Sequence, residues 1–194
     1  MTARKTLVCA AAMTLCATAS LAGGAATTLR DDADGFQITV PADWTKGPIP
    51  DGPTHIRAVF RSPGYDSSYE SCNVVAQYDP DKLNQPQNQL NALMTGGGMM
   101  KAWKARAPKS GMEVQGGSTV QLPGGVVALA SEGSLGLNHL FGLYKTTGHF
   151  KDLLVMVPSN SYAVTCGIEQ RDYPAHRKEI EQIIATFKLV ARKR

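Results

Sequence analysis

The stretch YAVTCGIEQRDYPAHRKEIEQIIATF, residues 162–187, decides the fold because its hydrophobic period changes midway. From Tyr162 to Ile168, apolar residues alternate with small or polar ones, which is the period of a half-buried strand. After Pro174 the period becomes helical: Ile180, Ile183, Ile184 and Phe187 fall at i, i+3, i+4 and i+7. Pro174 suits a first helical turn, where the N–H it lacks has no intrahelical partner anyway. Arg177, Lys178, Glu181 and Gln182 form the opposite face, and Lys188 lies near the negative end of the helix dipole. A polar face of mixed sign argues against a membrane-surface helix. The helix is therefore expected to dock on a sheet.

Working back along the chain, Met112 to Leu122 and Val126 to Ser131 read as strands joined at Pro123-Gly124-Gly125. His139 to Thr146 and Phe150 to Val157 read as a second hairpin turning at Thr147-Gly148-His149. With 162–168 these strands predict an antiparallel meander. Further upstream, Phe36, Ile38 and Val40 share one face of a strand closed by Pro41, and Trp44 is placed to plug one end of the core. Ile56 to Phe60 and Cys72 to Tyr78 are two more strands. Between them and the meander, Lys82 to Ala107 has a helical pattern carried by Leu83, Leu90, Leu93, Met94, Met100 and Trp103. Gly96-Gly97-Gly98 would cost such a helix roughly 3 kcal/mol against alanine, so a break is expected there. The fold class is α+β, an antiparallel central sheet with helices packed against it.

Both ends of this pattern resemble the PsbP-like fold, including the bacterial DcrB-type envelope proteins. Gly35-Phe36-Gln37-Ile38-Thr39-Val40-Pro41-Ala42-Asp43-Trp44 is similar to that group's opening. Tyr162-Ala163-Val164-Thr165-Cys166, then Tyr173, then a helix running into Thr186-Phe187 is similar to its ending, with Thr186 in place of a serine. The resemblance implies a three-layer sandwich spanning one domain, residues 35–190; Ala191-Arg192-Lys193-Arg194 reads by its own residues as a basic tail. It implies no reaction, because such proteins act as assembly subunits, adaptors or envelope proteins.

Residues 1–22 have the layout of a secretory signal peptide: Arg4 and Lys5, an uncharged run from Leu7 to Leu21, then Ser20-Leu21-Ala22. The mature chain is expected to be periplasmic or secreted and to keep no stable membrane anchor after cleavage. Residues 23–34 read as a flexible N-terminal segment. Cleavage removes Cys9 and Cys16, leaving Cys72 and Cys166, which are 94 residues apart and expected to pair if the fold brings them together.

The chain has 194 residues, 43% of them hydrophobic, enough for one sizeable core. Its 20 Lys and Arg against 16 Asp and Glu leave a mild positive charge that does not suggest a nucleic-acid partner. The histidines His55, His139, His149 and His176 show no metal-ligand spacing, and His149 (in a turn) and His176 (at a helix start) read as surface residues. A Cys–His nucleophile built from Cys166 and His139 would require a free thiol. Gly133-Ser134-Leu135-Gly136 has the wrong spacing for a nucleophile elbow, and Gly96-Gly97-Gly98 is not followed by the lysine of a phosphate loop. Asp79 and Asp81 fit a helix start rather than a calcium loop. No catalytic residue, metal site or cofactor is indicated. Met94, Met99 and Met100 offer either packing or an adaptable surface, and with Lys101 and Trp103 they form the expected contact surface. The function expected is that of an exported, non-enzymatic domain binding a protein of the cell envelope. A carrier of a small apolar ligand is the alternative, followed by a hydrolase.

Overall fold

Alternation along β9 (Asn160–Glu169) puts Tyr162, Val164, Cys166 and Ile168 on one buried face, and the other strands are registered to it. The computed structural model describes residues 25–51, 55–139 and 144–193, so the expected signal peptide lies outside the described residues. The remaining strands are β1 (Thr27–Asp31), β2 (Phe36–Val40), β3 (Thr45–Lys46), β4 (Ile56–Arg61), β5 (Ser71–Tyr78), β6 (Met112–Leu122), β7 (Val126–His139), β8 (Tyr144–Val157) and β10 (Lys188–Leu189). The helices are α1 (Tyr65–Ser68), α2 (Pro80–Leu83), α3 (Gln87–Thr95), α4 (Gly98–Arg106) and α5 (Tyr173–Ala185). A seven-stranded antiparallel sheet runs β3-β4-β5-β9-β8-β7-β6, and a small sheet runs β1-β2-β10.

Three layers result. Register aligns Val74, Val164, Leu153 and Ala130 across one face of the large sheet. On that face pack Ile180, Ile183 and Phe187 together with Phe36, Ile38 and Val40 of the small sheet. The opposite face carries α3 and α4: Asn91 Oδ1 accepts from Val127 N at 2.9 Å, and Trp103 Nε1 donates to Ser131 Oγ at 3.2 Å. Phe150 on this face joins a smaller core with Met100 and Trp103. The helix break expected at the three glycines separates α3 from α4, and Gly97 takes φ +73°, where a side chain would be strained. Trp44 is buried and donates from Nε1 to Glu179 Oε1 at 2.8 Å. No helix among the described residues is long and apolar enough to cross a membrane.

Two expectations are corrected. Residues 23–34 are not a loose segment throughout, because Thr27–Asp31 is a strand paired residue by residue with β2. Its acidic end is a turn: Asp31 O accepts from Gly35 N at 2.8 Å, and Asp31 Oδ1 from Asp34 N at 2.9 Å. Asp34 also pairs with Arg57 at 2.5 Å. Nor is there a hairpin at Thr147-Gly148-His149. Those residues lie inside β8, opposite Gly136, Leu135 and Ser134 of a β7 that continues past Ser131. Gly148 has the chemistry of a turn residue, but it is paired in the ladder and buried, and the connection between the two long strands falls outside the described residues.

Candidate functional site

Seven strands about 4.8 Å apart make a sheet some 29 Å wide, far wider than one helix of about 10 Å. The single helix α5, with the small sheet beside it, therefore cannot cover the whole face. On the β6–β8 side a cleft of about 690 Å³ remains. Its floor is Ala130, Leu153, Val120 and Leu122, and its wall is Ile184 and Phe187. Val120 is 39% exposed, although its side chain is apolar.

One end of the cleft is charged and self-compensated. Lys151 Nζ bonds Glu181 Oε1 and lies 3.4 Å from Glu132 Oε2, while Arg177 Nε reaches Glu181 Oε1 at 2.9 Å. Burial works against the Lys151 charge, but Glu181 and Tyr173 together outweigh it and hold the amine above its usual pKa. Hydrogen bonds from Lys151 and Arg177 hold the Glu181 carboxyl below its usual range. Behind them, the His149 ring stacks on Tyr173 with centroids 3.5 Å apart. Burial lowers the His149 pKa, and Glu132, 3.9 Å away, only partly restores it, so the ring is neutral at pH 7. The other end of the cleft carries Lys188, which is exposed and forms no ion pair among the described residues.

The residues singled out from sequence fare unevenly. Cys72 and Cys166 form a disulfide, directly opposite each other on β5 and β9 with Cα atoms 4.0 Å apart. Cys166 therefore offers no thiol for a Cys–His nucleophile. His149 is not on the surface, because Tyr173 covers it at 7% exposure. His176 is part-exposed, with Nδ1 lying 3.1 Å from Oε1 of the buried Glu70. Burial, the largest influence on Glu70, raises its pKa. Met94 is 1% exposed and belongs to the interior, so it is removed from the expected contact surface. Met100 packs onto β6, where a side chain at Gly117 would collide with its terminal methyl. Met99 is half-buried, and Lys101 is exposed on the same helix. The cleft itself escapes a reading of the sequence, because its residues come from five separate elements: β6, β7, β8, α5 and β10. The signal that could have found it is the charge-free run between Glu113 and Glu132, which covers β6 from Val114 onward and most of the cleft floor. Among the described residues, no cluster of three or more His, Cys, Asp or Glu side chains could hold a metal ion.

This architecture, a sheet between two helical layers with a small sheet beside the last helix, defines the class: the chain has the PsbP-like fold. It is similar to the solution structure of cyanobacterial PsbP (CyanoP) from Synechocystis sp. PCC 6803, with a TM-score of 0.55 at 10% identity over 88% of this chain and 96% of that one. LpqN of Mycobacterium tuberculosis, described as involved in cell envelope biogenesis, is matched at 15% identity and a TM-score of 0.48, over 86% of this chain and 91% of LpqN. Protein PA94 of Pseudomonas aeruginosa, of unknown function, is matched at 14% identity and a TM-score of 0.45, over 88% of this chain and 100% of that one. No protein-family model matches the chain, and no curated protein matches it in sequence.

Proposed function

We propose that this chain is an exported, non-enzymatic binding domain whose α5–β6 cleft receives a protein partner in the cell envelope. The observation that carries this reading is the form of the cleft. It is floored by apolar side chains and runs out to an exposed Val120 at the sheet's rim instead of closing over its contents. An apolar patch that reaches the rim suits a partner larger than the cleft. The buried Cys72–Cys166 bond supports an oxidising compartment. A small apolar ligand is the second reading, because the cleft's volume falls in the range of roughly 300–1,000 Å³ usual for such sites.

Site-specific photocrosslinking separates the two readings. A photoreactive residue at Val120, expressed in the exporting cell, is expected to give a discrete protein adduct that the same probe at exposed Lys46, on the opposite sheet edge, does not. Absence of any adduct specific to position 120, together with a co-purifying small molecule in native mass spectra, would favour the carrier.

A further inference from the structure

We infer that the partner binds as an added strand: an extended segment pairs with the free edge of β6, sends alternate apolar side chains into the cleft, and presents an acidic group to Lys188. This rests on the cleft being a partner site. The first reason is how differently the four sheet edges among the described residues are treated. At the far end of the large sheet, β3 is two residues long and carries Lys46; in the small sheet, β10 is two residues long and carries Lys188. The remaining edge, β1, ends in Arg30 and Asp31, with Arg30 paired to Asp32 at 2.5 Å. Shortness and charge are the usual guards against strand addition. The β6 edge has neither from Val114 onward, its one charged residue being Glu113 near its start. It is eleven residues long, has no strand on its outer side among the described residues, and holds no charged residue and no proline between Val114 and Leu122. Its one irregularity, the bulge between Val114 and Gly116, leaves residues 117–122 regularly paired with β7 on their inner side. That is a free edge of about 20 Å at 3.4 Å per residue.

The second reason is what lies beside that edge. Ser118, Val120 and Leu122 occupy alternate positions of β6 and line the cleft, so an incoming strand would continue the floor and set its own alternate side chains opposite Ile184 and Phe187. Main-chain pairing gives such a complex its affinity, and the pockets for alternate side chains give it selectivity. Charge fixes the rest of the chemistry. Lys151 and Arg177 are already balanced by Glu132 and Glu181, whereas Lys188 is the cleft cation left without a carboxylate among the described residues. A second copy of this chain would bring its own residues 117–122, which contain no acid. The occupant that fits is a foreign segment, apolar at alternate positions and carrying an acidic side chain or terminal carboxylate.

The test uses the oxidised mature chain and amide-capped octapeptides of alternating valine and threonine ending in aspartate or in lysine. The aspartate peptide is expected to bind and to slow amide exchange at residues 117–122. N-methylation of every second peptide bond should abolish binding, and Lys188→Glu should weaken the aspartate peptide by about tenfold while improving the lysine one. If position 120 crosslinks a protein but exchange at 117–122 is unchanged and N-methylation has no effect, strand addition is wrong while the partner reading stands. If position 120 crosslinks nothing, the partner reading itself falls. A concentration-dependent dimer with protected 117–122 amides and no peptide binding would overturn the foreign segment in favour of a second copy.

Discussion

Thr186 and Thr39 are joined by a reciprocal contact. The Thr39 backbone N–H donates to Thr186 Oγ1 at 2.9 Å, and that hydroxyl lies 2.9 Å from the Thr39 carbonyl oxygen. The same hydroxyl also lies 2.6 Å from Ile183 O, so its single proton is shared between an intrahelical acceptor and one on β2. The contact ties the end of α5 to the small sheet, which sets the angle of the cleft's wall. Thr186→Val is expected to cost about 1–2 kcal/mol, because a part-buried N–H loses its acceptor, and to lower the melting temperature by several degrees. Thr186→Ser should behave as wild type. Equal melting of all three proteins would show that the contact has no structural weight.

The disulfide gives a second prediction. Cys72 and Cys166 are both fully buried on the sheet face beneath α5. A chain beginning at Gly23 should show no titratable thiol when unfolded without reductant, and two after reduction. The crosslink should contribute about 2–5 kcal/mol, read as a lower urea midpoint for the double Cys→Ala variant. Two thiols in the unreduced chain would sink this.

How much is legible in the sequence follows from how local each signal is. The α5 helix, the break at Gly96-Gly97-Gly98 and the strand at Phe36–Val40 are each set by residues within a few positions of one another, and the structure has all three. The β7–β8 pairing is not local: it is held by cross-strand register over more than ten residues, and Thr147-Gly148-His149 looks like a turn until Tyr173, far along the chain, is seen stacked on His149. The cleft is illegible for a related reason. Its shape comes from the mismatch in width between a seven-stranded sheet and one helix, and no single segment encodes that.

The helical face of α5 divides more finely than its periodicity suggests, and this can be measured. Ile183 is fully buried, whereas Ile184 is half-buried and lines the cleft wall. Ile183→Asp should leave no cooperative unfolding transition at 25 °C, since it places an unpaired charge in the core. Ile184→Asp should retain a folded, less stable protein while abolishing the crosslink at position 120. If the two variants unfold alike, Ile184 belongs to the core and the cleft wall is misdrawn.

Asp152 makes stability depend on pH in a direction that can be worked out. It is 5% exposed in the middle of β8, with Ser131 and Thr165 opposite it on the neighbouring strands. Burial is the dominant influence and raises its pKa to about 6, with Thr165 and Ser131 acting the other way. In the unfolded chain its pKa is near 3.9. Below that value both states hold the proton and the group costs nothing. As pH rises past it, the unfolded chain releases its proton first, so stability falls until the native carboxyl ionises near pH 6. The loss above that point is about 3 kcal/mol, the free-energy equivalent of the gap between the two pKa values. Asp152→Asn keeps the shape and removes the proton. Urea titrations from pH 4 to 7 should therefore show the variant gaining on wild type as pH rises, with nearly all of the gain made by about pH 6.5. His149, whose lowered pKa makes acid destabilising, is present in both proteins and cancels from the difference. Parallel stability curves for the two proteins would mean that Asp152 is solvated or paired in the native state, and the burial argument would fail.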